Sequence, residues 1–207
     1  MAWHLEVLGR RQQRVLARIG PLLSERGFYL AGGTAVALRL GHRHSVDFDW
    51  FITDGLASPL GLAEELRGLD VPFETDEVAP GTLHGRVSGV NVSFLRYRYP
   101  MLTEPDTWRQ TRIAGRADLA AMKLSAIAQR GAKKDFVDIY GLGKRSSLRQ
   151  MLQWYQHKHG VQDMTHMLCS LAYFDDAERE RMPTMFWQVT WPTIKDTIRK
   201  KLQKLSD

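Results

Sequence analysis

Apolar positions in the first half of the chain follow two periods, one typical of helices and one typical of strands. In residues 10–26 the apolar side chains recur three or four positions apart, which predicts an amphipathic helix. The segments 45–52 and 89–95 alternate apolar and polar side chains, as strands with one buried face do. A short apolar run at 28–31 predicts another strand, and residues 59–69 predict a helix that covers the sheet.

A glycine pair separates the strand at 28–31 from a run of helix formers. Gly32 and Gly33 follow the strand directly, and Thr34 begins the predicted helix over residues 34–40. Glycine lets the backbone approach a ligand closely, and the free N–H groups of a helix N-terminus favour a phosphate. This turn is therefore a candidate phosphate-binding element, to which Thr34 would add a hydroxyl group.

The second half of the chain changes to a helical pattern after a connection at residues 100–106. We predict helices at about 118–130, 133–142, 146–157, 163–174 and 192–205. Strands mixed with helices, followed by helices alone, predict the α+β class. We expect an α/β core over residues 1–117 and a helical C-terminal domain over 118–207 that completes the site.

Composition and charge narrow the class of protein. The chain has 207 residues, of which 43% are hydrophobic, so a sizeable folded core is expected. No apolar stretch approaches the roughly 20 residues that span a bilayer, and we expect a cytoplasmic protein without a membrane partner. The single Cys169 excludes an internal disulfide. The net charge is +6, mostly from residues 118–207, and favours a polyanionic partner such as nucleic acid or nucleotide phosphates.

Two carboxylates stand at positions i and i+2 of the predicted strand at 45–52. Asp47 and Asp49 would point to the same side of that strand and repel each other unless a divalent cation lay between them. A metal that bridges to a triphosphate supplies such a cation. An exposed strand face is the commoner reason for this pattern, but here the acids follow the glycine turn within eighteen residues.

The combination of glycine pair and acid pair resembles the DNA polymerase β-type nucleotidyltransferase superfamily. More narrowly, Ala31–Leu40 together with Arg43, Ser45, Asp47 and Asp49 resembles the AbiEii/AbiGii-type nucleotidyltransferase toxins of bacterial toxin–antitoxin and phage-defence systems. The resemblance implies a polymerase β-type core, a small mixed sheet with helices, followed by an all-helical C-terminal part. It also implies that Arg43 and Ser45 belong to the nucleotide site.

The predicted helix at 118–130 carries a lysine that the family also has. Lys123 and Ser125 are the polar residues between Leu119 and Ala128, so the lysine is expected to be buried and to need an anionic partner. A triphosphate would serve, and a lysine that snorkels to the surface is the alternative. Arg130 lies seven positions on, on the same helix face, and is a further candidate for binding the nucleotide.

The third carboxylate of the superfamily is absent from its usual strand, where this chain has Asn91 and Ser93. Asp135 is our candidate replacement, as metal ligand or general base, and Asp138 is the second choice. Both belong to a segment that resembles the family's basic-Asp-x-x-Asp motif. The alternative is that these acids form surface ion pairs with Lys133, Lys134 or Arg130.

The resemblance implies an enzyme that transfers a nucleoside monophosphate from a nucleoside triphosphate and releases pyrophosphate. Its cofactor would be Mg²⁺, or Mn²⁺, held by Asp47 and Asp49. The implied acceptor is RNA, possibly the 3′ end of tRNA, or a protein hydroxyl, and the implied partner is a cognate antitoxin protein. The alternatives are a non-catalytic nucleotide- or RNA-binding regulator on the same fold and a glycosyltransferase, against which the missing Rossmann series of strands and helices counts.

Overall fold

The structure is a computed structural model that describes residues 2–56 and 58–206. Its strands are β1 (Tyr29–Ala31), β2 (Phe48–Ile52), β3 (Phe73–Ala79), β4 (Thr82–Val87), β5 (Val90–Arg96), β6 (Asp106–Trp108) and β7 (Thr111–Ile113). Its α-helices are α1 (Arg10–Glu25), α2 (Gly32–Leu40), α3 (Pro59–Gly68), α4 (Arg116–Arg130), α5 (Lys133–Leu142), α6 (Leu148–His159), α7 (Thr165–Ala172), α8 (Asp175–Glu178) and α9 (Trp191–Ser206).

Within the described ranges, the strands form one seven-stranded mixed sheet in the order β3-β4-β5-β2-β1-β7-β6. The β2–β5 and β1–β7 pairs are parallel, and the other neighbours are antiparallel. The register places Asp49 of β2 between Ala31 of β1 and Ser93 of β5. The glycine turn after β1, Asp49 in β2 and Ser93 in β5, the strand that lacks the third acid, are therefore neighbours at the centre of the sheet. The predicted α+β class is confirmed.

The alternation in β2 separates a core face from a site face. Phe48 and Trp50 are fully buried, while Asp49 between them projects to the opposite side. The predicted strand began at residue 45, but the structure begins it at Phe48. Val46, which was predicted to share the buried face, is 66% exposed, because residues 42–47 make contacts of their own instead of pairing in the sheet.

The C-terminal helices pack against the sheet-bearing part of the chain and not away from it. Helix α4 contacts α2, α5, α6 and α7, and α2 contacts α5. The buried apolar side chains of both parts belong to one hydrophobic cluster. The predicted domain boundary after residue 117 falls in the first turn of α4, and the division into two domains stays a prediction.

Strands β3, β4, β6 and β7 and the short helix α8 were not predicted from the pattern. The described residues include no helix with the length and apolar character needed to cross a membrane.

Candidate active site

The site is centred on the turn between β1 and α2. Gly32 has φ +63°, the left-handed region that favours glycine. A Cβ atom on Gly32 would lie 2.3 Å from Asp49 Oδ2, closer than real Cβ atoms come to any neighbour. The chain needs glycine here for its backbone conformation and for the close approach of the Asp49 carboxylate.

Gly33 brings the start of α2 against two cations. A Cβ atom on Gly33 would lie 2.6 Å from Nη2 of Arg43 and 3.7 Å from Nζ of Lys123. The N-terminus of α2, whose first N–H groups have no acceptor within the helix, therefore lies beside a guanidinium group and an ammonium group. All three favour an anion such as a phosphate group.

Of the two predicted metal ligands, Asp49 faces Gly32, and Asp47 lies close enough to Asp49 to affect its pKa. Asp47 precedes β2, and its Oδ1 accepts a hydrogen bond of 2.9 Å from Nδ2 of Asn91. Burial raises the pKa of Asp49 above its ordinary value; Lys123 acts against the rise, and the Asp47 carboxylate adds to it. Two neighbouring carboxylates of which one is hard to ionise form a site that a cation would stabilise.

The hydroxyl groups of Thr34 and Ser45 hold the loop that carries Asp47. The Thr34 hydroxyl donates to the backbone carbonyl of Asp47, and the two hydroxyl oxygens lie 2.7 Å apart. Because a carbonyl group only accepts, the Ser45 hydroxyl donates to Thr34. Both side chains are buried. They were predicted to bind the nucleotide, and the contacts described here are internal ones that fix the acid loop.

A second support of this loop comes from the C-terminal half. The backbone N–H of His44 donates to the carbonyl of Thr184 at 2.8 Å, and the N–H of Phe186 donates to the carbonyl of His42 at 2.9 Å. Between them, Arg43 and Met185 form an antiparallel bridge. The loop before Asp47 is therefore paired along its backbone with residues 184–187.

Lys123 is 4% exposed, and its partners are the two acids of α5. Its Nζ lies 2.8 Å from Oδ1 of Asp135 and 2.6 Å from Oδ2 of Asp138, and both acids have no exposed surface. Burial would lower the pKa of Lys123, but these carboxylates raise it above its ordinary value. The predicted burial of the lysine is thus confirmed, and its anionic partners are aspartates of the chain.

Asp138 binds a second cation and a histidine. Arg43 donates to both oxygens of Asp138, from Nε at 2.7 Å and from Nη2 at 2.8 Å, and Nε2 of His42 lies 2.8 Å from Oδ1. Burial alone would raise the pKa of Asp138, but Arg43 and Lys123 hold it well below its ordinary value. Asp138 is an anionic anchor for the cations that line the glycine turn.

Asp135 has a similar part at the outer edge of the site. Arg130 donates to its Oδ2 from Nε at 2.8 Å and to its Oδ1 from Nη2 at 3.2 Å, while Lys123 donates to Oδ1. Burial acts to raise the pKa of Asp135, but Lys123 and Arg130 outweigh it, and the pKa is lowered. A fully buried carboxylate with cations on both oxygens is a better counter-ion than a general base.

The place of the third acid is occupied by neutral groups. Ser93 lies opposite Asp49 in the β2–β5 register, and its hydroxyl lies 2.9 Å from Nδ1 of His84. In the described part of the chain, no three His, Cys, Asp or Glu side chains come together as a metal site. The donor set of Asp47 and Asp49 fits Mg²⁺ in a form that uses one or two protein carboxylates and completes its coordination with substrate phosphates and water.

The sequence reasoning missed His42 and the hydrogen bond from Asn91 to Asp47. His42 is not among the residues predicted for the site, yet it has no exposed surface and contacts Asp138. Its position directly before Arg43 was the available signal, because neighbours in a short loop share their surroundings. Exposed Lys134 was considered as an ion-pair partner only, and its charge also acts against the rise in the pKa of Asp49.

Solved structures share this architecture. MenT4, a nucleotidyltransferase toxin of Mycobacterium tuberculosis H37Rv, is similar with a TM-score of 0.64 and 16% identity, over 94% of this chain and 82% of that one. The antibiotic-resistance factor ANT(2″)-Ia gives a TM-score of 0.54 at 12% identity, over 72% of this chain and 92% of that one. JHP933 of Helicobacter pylori gives 0.54 at 16% identity, over 96% of each chain. The fold is that of the nucleotidyltransferases, as predicted.

The sequence comparisons agree with this fold. The family model described as "Nucleotidyl transferase AbiEii toxin, Type IV TA system" matches residues 14–113, the part that holds the glycine turn and both acids. An uncharacterised protein of Aquifex aeolicus (strain VF5) is 32% identical over 203 residues, covering 95% of this chain and 97% of that protein. The predicted resemblance to the AbiEii nucleotidyltransferase toxins is confirmed over residues 14–113, and the predicted enzyme class is confirmed.

Proposed function

We propose that the protein transfers a nucleoside monophosphate from a nucleoside triphosphate to a hydroxyl group of RNA, with the 3′ end of tRNA as the leading acceptor. The observation that carries the proposal is the arrangement around Gly32 and Gly33, where Asp49, with Asp47 near it, faces the first glycine and the buried cations Arg43 and Lys123 face the second. An acid pair can hold a divalent cation and the cations can bind phosphates, so one triphosphate fits across the turn.

The phosphates would lie along the N-terminus of α2. Arg43 and Lys123 would offset the charge that develops on the leaving pyrophosphate, and half-exposed Arg130 would contact its outer end. Asp135 and Asp138 hold these cations in place. Mg²⁺, or Mn²⁺, bound by Asp47 and Asp49 would neutralise the phosphates and polarise the one under attack.

The transfer step is an in-line displacement. The acceptor oxygen forms a bond to the α-phosphorus, the bond from that phosphorus to the bridging oxygen breaks, and pyrophosphate leaves while water takes up the hydroxyl proton. Preorganised charge supplies the stabilisation, since Lys123 and Arg43 are already held by their aspartates before substrate arrives. The family implies a protein antitoxin as the partner that restrains this activity.

The test incubates the purified protein with Mg²⁺, each α-labelled nucleoside triphosphate in turn, and total bacterial RNA. We expect label on RNA from the native protein and none from Asp47→Asn. Glu104→Gln, which removes an exposed acid away from the site, serves as the matched control and retains transfer. Label on protein instead of RNA would overturn the acceptor assignment, and full transfer by Asp47→Asn would overturn the site.

A non-catalytic regulator that binds nucleoside triphosphates is the second candidate, favoured by Ser93 in place of the third acid. Binding of a triphosphate that requires Mg²⁺ and is lost in Asp47→Asn, without transfer under any condition, would select it. The glycosyltransferase alternative lacks support from the fold, which is a mixed sheet and not a doubly wound parallel one.

A further inference from the structure

A cavity of about 310 Å³ lies at the end of α2 opposite the glycine turn. Its wall includes Arg116, Lys144, Arg145 and Trp187. The glycine turn is at the first residue of α2, and the cavity is at its last turn. Because a helix rises about 1.5 Å per residue, most of the length of α2 separates the two sites. The cavity is a separate site with the size of a small-molecule pocket.

Positive charge collects at this cavity without matching carboxylates. Arg116, Lys144 and Arg145 are exposed, and none of them forms an ion pair with another residue that the structure describes. Arg39, also in the wall, is neutralised by Asp106 at 2.6 Å. The wall therefore has four cationic side chains, of which Arg39 is paired, and its described lining residues include no carboxylate.

The helix dipoles at the cavity offset only part of this positive charge. Helices α2 and α5 both end at the cavity, and each helix C-terminus carries roughly half a negative charge. Together they offset about one of the three positive charges. The remaining excess is consistent with the surrounding groups: burial and then Lys144 lower the pKa of Lys201, and repulsion from Arg116 contributes to the lowered pKa of Arg39 after burial.

The cavity also has a planar apolar wall. Trp187 is partly exposed, and the Nζ of Lys144 lies 5.9 Å from the centre of its ring. Leu40 and Leu142 complete the apolar side. An anion with no apolar part would leave this side unused, whereas a nucleotide has both a phosphate and a ring that stacks on an aromatic side chain.

We propose that the cavity is a second nucleotide-binding site, in which Arg116, Lys144 and Arg145 bind a phosphate group and the base lies against Trp187. The ligand is a nucleoside phosphate, either free or as a nucleotide of an RNA chain. Binding here requires neither Mg²⁺ nor the transfer reaction, so the proposal stands or falls separately from the proposed function.

The test measures equilibrium binding in EDTA, which removes the metal that the first site would use. The probes are ATP, tripolyphosphate and a short single-stranded RNA, and the variant is Arg116→Gln with Lys144→Gln. We expect its affinity for ATP or RNA to fall by about tenfold or more, since two charge-assisted contacts are lost. Arg11→Gln with Arg14→Gln, which removes equal charge from the exposed face of α1, is the matched control.

The arms of the experiment identify the source of the phosphate. If one ATP binds per chain and the cavity variant loses this binding, the ligand is a free nucleotide. If RNA binds more tightly than ATP and the cavity variant loses the RNA binding, the ligand is a nucleotide of an RNA chain. Trp187→Leu should weaken ATP and leave tripolyphosphate unchanged, and an unchanged ATP affinity would overturn the role of Trp187. Equal losses in the cavity variant and the α1 control would overturn the site.

Folding of each variant is checked by its thermal transition, and Arg145→Gln provides a single substitution should the double variant unfold. Because Arg145 is exposed and its side chain forms no ion pair within the described part of the chain, we expect this variant to retain the native packing. Its ATP or RNA affinity should fall in the same direction, and an affinity equal to that of the native protein would count against the proposal.

Discussion

Arg43 and Asp138, 95 residues apart in the chain, are joined by two hydrogen bonds of 2.7 and 2.8 Å with no solvent access to the carboxylate. One residue belongs to the loop before the acid pair and the other to α5. The bond therefore fixes the helical part of the chain against the part with the glycine turn, and it aims a cation at that turn.

Replacing Asp138 by Asn should strongly destabilise the protein. The change leaves Arg43 and Lys123 as buried cations that have lost a shared carboxylate, and breaking a buried ion pair in this way costs about 3–5 kcal/mol of unfolding free energy. Urea unfolding at neutral pH measures the loss. Glu104→Gln, at an exposed site, should change the unfolding free energy by less than about 0.5 kcal/mol.

The stabilisation that Asp138 provides should be lost in acid. The folded state holds the pKa of Asp138 well below its ordinary value of 3.8, so its stabilising contribution is complete above that value. It is lost only as the pH falls below 3.8 towards the folded pKa. The difference between native protein and Asp138→Asn should therefore be constant from neutral pH to about pH 4 and shrink below; a difference that shrinks already at pH 6 would contradict the assignment.

Asp49→Asn should have the opposite effect on stability while abolishing transfer. The pKa of Asp49 is raised, so its ionised form is less favourable in the folded state, and the protein without metal loses stability as the pH rises through that pKa. The variant should melt at a higher temperature than the native protein at neutral pH in EDTA. The gain should vanish in acid, where both proteins carry an uncharged side chain.

Mg²⁺ should reverse this order. Metal binding to the native protein raises its melting temperature by mass action, whereas Asp49→Asn should respond weakly. A variant that is stabilised by Mg²⁺ as strongly as the native protein would show that Asp49 does not bind the metal.

Gly32→Ala should disrupt the site from the backbone side. An alanine at φ +63° is strained by about 1–3 kcal/mol, and its Cβ atom would push the Asp49 carboxylate out of place. We expect lower stability and loss of transfer. Gly68→Ala is the matched control: nothing lies within 4 Å of the added carbon, and α3 should gain up to about 1 kcal/mol of stability. Full transfer by Gly32→Ala would mean that the turn tolerates a side chain.

Lys123→Met tests whether the buried lysine has a chemical role beyond packing. Loss of a preorganised charge at the phosphates should lower transfer by about 10²–10³-fold. Lys158→Met is the control, because Lys158 is also buried and paired to a buried acid, Asp118, at 2.7 Å. Both variants lose an ion pair, but only Lys123→Met should weaken nucleotide binding in a direct titration. Equal effects on nucleotide binding would make Lys123 a structural residue.

Long periodic segments and the motif spacing were predictable from the sequence. The helix before β1, the glycine turn and the helices at 116–130 and 133–142 follow from local patterns that packing does not overturn. Strand β3 was not predictable, because most of its residues are exposed and polar on both sides of a bulge after Thr75. Strands β6 and β7 have three residues each, too few to show a period.

The partners within the site were less predictable than its members. The sequence placed Lys123 and Asp135 in one site, but it gave Asp135 the part of a metal ligand or base, because the burial of a carboxylate depends on how α4 and α5 pack. Thr34 and Ser45 were likewise expected to face the nucleotide, whereas in the structure their hydroxyl groups form a hydrogen bond to each other. A sequence pattern predicts which face of a helix or strand a residue lies on, but it does not predict which donor each oxygen accepts a hydrogen bond from.

The backbone pairing of His42 and His44 with residues 184–187 makes the acid loop depend on a stretch that holds none of the proposed catalytic side chains. Because these hydrogen bonds are made by main-chain atoms, we expect the pairing to survive substitutions that keep the backbone extended and the ring contacts of Phe186 and Trp187 with His44 and His42. A deletion in this stretch, or a proline that removes the N–H of Phe186, would displace the acid loop and impair the active site. Mutations in this stretch that abolish transfer should accordingly be frame-preserving deletions more often than point substitutions.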